Sequence, residues 1–216
     1  MASSNASCFE SFSFSNVSAG ASGTASYGSL AVTGNDGSKD LSANFQASTS
    51  FSDTLHLYGV NPNSSTNDVL AQFTVKIVGN PADESPLPFP SQGFSATFTG
   101  GNPAVSASES CTFNCPPFSQ VYVVTQDDGG TGELSFSADL TGFGSESLGG
   151  GSVTASLDLQ SIVLLDPTSG QPLTGFSYSS DSDTAYSVNA TFIPEPSTLL
   201  LLLPGVALLV AFRQRT

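Results

Sequence analysis

The chain of 216 residues carries 18 acidic and 4 basic side chains, a formal net charge of −14, and two of the cations, Arg213 and Arg215, stand at its very end. Lys39 and Lys76 cannot by themselves make the basic footprint that phosphate contact requires, so the composition excludes a nucleic-acid partner. Charged residues are only 10% of the chain, Trp is absent and Phe occurs 16 times, a balance of small polar and aromatic residues that suits strands better than helices.

Met1 to Gly20 reads MASSNASCFESFSFSNVSAG, without a Lys, an Arg or an apolar run. A secretory leader needs a basic start, an apolar stretch and a small-residue cleavage site. None is legible here, and for an exported chain a start upstream of Met1 is expected. Cys8 has no apolar run before it, as a lipoprotein signal would require, and its pairing stays open. Residues 1–25, rich in Ser, Ala and Gly, are expected to be partly disordered or to form a loose edge strand.

Period-two alternation then recurs along the chain, the mark of half-buried strands. Its clearest cases are Phe73, Val75 and Ile77; Phe94, Ala96 and Phe98; Leu134, Phe136, Ala138 and Leu140; Val153, Ala155, Leu157 and Leu159; and Tyr186, Val188, Ala190 and Phe192. Weaker segments lie at Ser11 to Val17, Tyr27 to Thr33, Asn44 to Phe51, Thr54 to Tyr58, Val121 to Thr125 and Phe176 to Tyr178. Turn chemistry separates them at Gly34-Asn35-Asp36-Gly37, Gly79-Asn80-Pro81, Asp127-Asp128-Gly129-Gly130, Asp166-Pro167 and Gln171-Pro172-Leu173-Thr174-Gly175. Residues 80–92 and 100–118 read as long proline-bearing loops. Residues 1–192 therefore predict one acidic all-β domain, an antiparallel two-sheet sandwich or jelly roll with a phenylalanine-rich core.

Side chains that could carry chemistry are few. Cys111 and Cys115, three residues apart in a proline-rich loop, form a candidate local disulfide of the kind an exported protein keeps. Zinc held through these thiols would need about four N or S ligands, and only the distant His56, the sole histidine, and the distant Cys8 remain. His56 lies between Leu55 and Leu57 on a strand, so it faces outward with Thr54 and Tyr58. No serine stands in a nucleophile motif that would recruit it. Asp127, Asp128 and Glu133, or Asp181 and Asp183, offer oxygen ligands that calcium would accept, but neither set matches a loop with fixed ligand positions. With no Trp and few Tyr, the aromatic platforms common in sugar sites are scarce. No catalytic residue, no cofactor and no metal site is expected.

The C-terminal segment is the sharpest signal. Pro194 and Pro196, flanking Glu195, bar a helix up to about Ser197. Leu199 to Phe212 is an apolar run of 14 residues. At about 1.5 Å per residue it reaches roughly 21 Å, short of the roughly 30 Å of a bilayer core. A single short hydrophobic helix over 197–212 is expected, followed by a basic tail at 213–216 whose Arg213 and Arg215 favour the cytoplasmic side.

Pro194-Glu195-Pro196-Ser197-Thr198-Leu199, the leucine-rich run and the terminal arginines together resemble the PEP-CTERM sorting signal of Gram-negative bacteria. The resemblance is limited to residues 193–216. It implies export, transient anchoring in inner-membrane lipid, processing by an exosortase, a membrane transpeptidase, and association with exopolysaccharide. It implies neither fold nor activity for the preceding residues. The expectation is a non-enzymatic surface or extracellular-matrix protein; the alternative is a glycan- or calcium-binding β-sandwich at the cell surface.

Overall fold

Alternating side chains put one apolar row on each strand, and two such rows can leave water only by facing each other. The computed structural model describes residues 2–12, 19–36, 43–59, 69–83, 91–100, 105–111, 116–146 and 151–193, and among these it is all-β, with two sheets and no helix. The first sheet contains β1 (Ser3–Phe12), β4 (Ala43–Tyr58), β6 (Ser91–Gly100), β7 (Val105–Cys111), β9 (Glu133–Glu146), β11 (Ser177–Ser180) and β12 (Thr191–Phe192). The second contains β2 (Ala19–Ser26), β3 (Ser29–Asp36), β5 (Leu70–Asp83), β8 (Phe118–Asp127) and β10 (Gly151–Leu165), in the order β2-β3-β10-β5-β8. Pairing is antiparallel except between β11 and β12. The chain passes repeatedly from one sheet to the other, so neighbours within a sheet are mostly distant in sequence.

β4 organises the first sheet. One of its sides pairs with β9 from Ala43 to His56, and the other is shared between β1, along Ala43 to Ser52, and β11, along Leu55 to Tyr58. The sequence pattern splits this strand at Ser52-Asp53, because a carboxylate occupies an inward position and breaks the apolar row. In the structure it is continuous over 16 residues.

Phe136 sits at the centre of the core, with ring centroids 6.2 Å from Phe51, 5.4 Å from Phe73, 6.1 Å from Phe98 and 5.5 Å from Tyr186. Phe73 comes from the second sheet, so these contacts bind the two layers together. Toward the other end the rings rest on glycine. Phe45 faces its cross-strand partner Gly144 and also Gly34 of the opposite sheet. Phe94 lies against Gly79, where an added Cβ would come within 2.0 Å of the ring. Glycine is required at these positions by the close approach of a ring.

Of the two expectations for the opening residues, the described stretches take the edge strand: β1 pairs with β4, and β2 lies at a sheet edge, where its Gly23 is so near Thr49 that a Cβ would meet that side chain at 2.7 Å. Three features depart from the sequence pattern. β7 lies within the segment expected to be loop, since Ala107 alone of its residues with described side chains is buried and inward, too little for a period to show. Gly79-Asn80-Pro81 belongs to β5 and makes no turn. Proline is tolerated there because β8 ends its pairing at Gly79 with Phe118, leaving that side of the strand without a partner to lose. Finally, Tyr186 to Phe192 keeps its alternation but is strand only at Thr191–Phe192. The Asn189 side chain takes the place of a ladder, accepting from Leu164 N at 2.7 Å and donating to the carbonyls of Leu164 and Leu173.

Gly79→Val drives a branched side chain into the Phe94 ring and is expected to lower unfolding free energy by about 2–3 kcal/mol. Ser95→Ala on the exposed face should stay within about 0.5 kcal/mol. Chemical denaturation of both variants checks the pair.

Candidate functional site

The acidic residues singled out in the sequence gather at one end of the sandwich, where β4 ends, β9 begins and the β8–β9 turn crosses between layers. Asp127, Asp128, Glu133 and Asp181 are each held by a specific contact. Asp128 is buried, and its carboxylate accepts from three backbone amides: Val69 at 2.7 Å, Gly130 at 3.0 Å and Gly132 at 3.1 Å. Asp127 accepts from Gly129 N at 2.8 Å. These bonds, with positive φ at Gly129, Gly130 and Gly132, build the turn. Both Asp128 oxygens and one of Asp127 are engaged with amides, and among the described residues no group of three His, Cys, Asp or Glu is placed to hold a metal ion.

His56 projects from the outer face of β4, as its register predicts, but it is half-buried. Nε2 lies 2.8 Å from Asp181 Oδ1, and Nδ1 lies 3.5 Å from Glu133 Oε1. Across the register its neighbours are Glu133 on β9 and Ser179 on β11. A carboxylate thus faces each ring nitrogen, so neither is turned to a serine hydroxyl as a general base would be. The imidazole ties β4, β9 and the loop after β11 together. Asp183, expected beside Asp181 as a possible ligand, is exposed with φ 58.

The residue that composition did not reveal is Asp53. It is 2% exposed and faces inward opposite Phe136. Oδ1 accepts from Thr54 N at 2.8 Å and Ser182 N at 3.2 Å; Oδ2 accepts from the Ser182 hydroxyl and from Tyr186 OH at 2.6 Å. Tyr178 OH in turn donates to Tyr186 O at 2.7 Å. This network closes the segment from Ser180 to Tyr186 over the end of the core. Burial, and then the Asp53 bond and charge, raise the Tyr186 phenol. The one available signal was the interrupted apolar row at Asp53.

A third buried carboxylate, Asp166, shapes the turn after β10 by accepting from Thr168 N at 2.9 Å and Ser169 N at 2.7 Å. The Ser169 amide is the main cause of its lowered pKa. At the far edge Tyr122 OH donates to Glu109, joining β8 to β7 across the layers. Burial, reinforced by that bond and the Glu109 charge, pushes the phenol up to about 12.

The broad outer face of the first sheet is built differently. Its strand register sets hydroxyls, with one carboxylate among them, in rows: Ser48, Thr141, Ser95 and Ser110; Ser52, Ser137, Thr99 and Ser106; and Ser50, Asp139, Thr97 and Ser108. Neighbours within a row are roughly 4.8 Å apart and rows on one face roughly 6.8 Å apart by strand geometry. Some hydroxyls pair with one another, as Ser48 with Thr141 at 3.0 Å and Thr54 with Ser135 at 3.1 Å.

Of the remaining sequence candidates, Cys111 is disulfide-bonded. Cys115 lies outside the described residues, as do Pro194, Glu195, Pro196, Arg213, Arg215 and the whole helix expected over 197–212. Among the described residues no helix is long and apolar enough to cross a membrane.

No protein-family model matches the chain, and no curated protein matches it. Among solved structures, TmCBM61 in complex with beta-1,4-galactotriose aligns at 10% identity with a TM-score of 0.23, covering 65% of this chain and 88% of that one. A likeness of that degree supports no inference about ligand or activity.

Asp53→Ala leaves the Ser182 and Tyr186 donors without their acceptor and is expected to cost about 3 kcal/mol. Hydrogen exchange should locate the loss at Ser180 to Tyr186. Two pH dependences follow from the shifted groups. The lowered Asp166 pKa stabilises the fold above the unfolded value of 3.8, and this is lost as pH falls through the folded pKa. Asp166→Asn should flatten the acid limb. The raised Tyr122 pKa stabilises below its ordinary 10.0, a contribution lost as pH rises toward about 12. Tyr122→Phe should flatten the alkaline limb, as read from denaturant midpoints across pH.

Proposed function

We propose that this is a non-enzymatic exported surface or extracellular-matrix protein, in which residues 1–192 are the delivered domain and residues 193–216 are its sorting signal. The observation carrying this reading is the ordered C-terminal triad of Pro194-Glu195-Pro196, apolar run and terminal arginines. Under it the chain is exported and held briefly in inner-membrane lipid with its C-terminus cytoplasmic. An exosortase-type transpeptidase then processes it near Pro194, and it passes to the envelope, the surface or the surrounding exopolysaccharide.

The described domain supports a role without catalysis. Its buried carboxylates Asp53, Asp128 and Asp166 accept bonds from the protein's own amides and hydroxyls, and its histidine stands between two acids. A net charge of −14 favours solubility and repulsion between copies outside the cell.

A second reading, a glycan-binding module, draws on the hydroxyl rows of the first sheet. A flat array of alternating donors and acceptors offers a polyhydroxylated chain many weak contacts. Calcium is the other ligand the acidic surface would attract, and the charge alone supports only loose association.

Replacing Pro194, Glu195 and Pro196 together by Ala in a host that has an exosortase is expected to leave the tail attached and the protein in the membrane fraction. An unchanged mature mass and location would sink the sorting claim. Titration of the protein with polysaccharide fragments and with calcium separates the two roles, because saturable binding near micromolar concentration would overturn a purely structural one.

A further inference from the structure

The outer edge of β8 carries an inference that does not depend on sorting. β8 pairs with β5 along one side, from Gly79 with Phe118 to Leu70 with Asp127 and without a register shift. Among the described residues its other side meets no strand, and no loop gives it backbone hydrogen bonds. An open edge is a template for another strand, and proteins usually blunt it with charge, proline, a bulge or a cover. The other strand edges differ from it. β2 contains Gly20 and Gly23, β1 carries Glu10, β7 carries Glu109, and β12 is 2 residues long. From Phe118 to Gln126, β8 has no charge, no proline and no glycine. Val121 and Val123 on its outward face are 50% and 57% exposed.

We propose that two copies of this chain join edge to edge through β8, antiparallel, making one continuous sheet from their two second sheets. The strand is complementary to its own reverse. Pairing centred on Tyr122 sets Val121 of each copy opposite Val123 of the other, extending the apolar strip across the junction. It runs from Phe118 to Gln126 and leaves Asp127 beyond the pairing, opposite Pro117, which has no N–H to offer. A parallel arrangement would instead set Asp127 beside Asp127, and like charges directly opposite are unfavourable. The two-fold pairing uses the β8 edge of both copies, so this contact closes at two. A single strand pair is a small interface, so the dimer forms and separates with concentration. Each copy carries −14, and salt tightens the dimer by screening that repulsion.

The test uses the full chain in detergent micelles, followed over concentration by sedimentation equilibrium and peptide-resolved hydrogen exchange. The expected result is a protein mass rising from one chain to two, with exchange slowed by concentration only across residues 118–126. Association should tighten about threefold or more from low to moderate salt. Val123→Lys should weaken it about tenfold or more by charging the edge, whereas Thr24→Lys on β2 should leave it unchanged. Should the lysine variant fail to fold, Val123→Thr decides by the same readings, with a smaller loss expected. A single chain at every concentration in high salt overturns the proposal. So does a dimer whose exchange is unchanged over 118–126, or one that Val123→Lys does not weaken, since either joins the chains elsewhere.

Discussion

The contact on which the rest of the structure depends is that of phenylalanine rings with the facing layer. At one end the rings meet each other around Phe136; at the other, Phe45 and Phe94 rest on the backbone of Gly34, Gly144 and Gly79. Ring on ring and ring on glycine fill different depths, so the glycines let the sheets stay closely packed where a second large side chain would force them apart. The arrangement also accounts for a core without tryptophan. Phe45 and Phe94 with Gly34, Gly144 and Gly79 supply complementary shapes in a chain with few charged residues.

Once the layers are fixed, the ends must be closed, and here buried acids do what apolar residues cannot. Loop amides at the end of a sandwich have lost water without gaining a ladder. Asp53, Asp128 and Asp166 each accept several of these donors; both oxygens of Asp53 and Asp128 are engaged, whereas the bonds to Asp166 all fall on Oδ1. Much of the acidity that could be read as metal chemistry is therefore structural. His56 belongs to the same scheme, joining three segments through two carboxylates.

What remains for interaction lies on the outside. Hydroxyl rows cover one sheet, and an uncharged edge strand with two exposed valines closes the other. The first resembles a wet polar surface, the second a strand awaiting a partner. Both are consequences of strand register, which aligns residues that are far apart in sequence. The acidic net charge keeps such surfaces soluble while leaving the edge free to pair when salt screens it.

Much of the fold was legible because burial in a sandwich imposes period two, and Phe73 to Ile77, Leu134 to Leu140 and Val153 to Leu159 obey it without interruption. The reading failed where the inward row contains a polar or small residue. Asp53 divided β4 in two, Ala107 hid β7, and Pro81 concealed the end of β5. The candidate site was legible in its residue types but not in their roles, because Asp181 and His56 are 125 positions apart and a sequence gives no distance between them. By itself the sequence determined the all-β class, the acidic character, the aromatic core and the order of Pro-Glu-Pro, apolar run and arginines at the C-terminus, since all of these depend on composition and local spacing. Only the tertiary structure decided which acids are buried, which nitrogens His56 has engaged, which hydroxyls share a row and which edge stays open, because those depend on the register between distant strands.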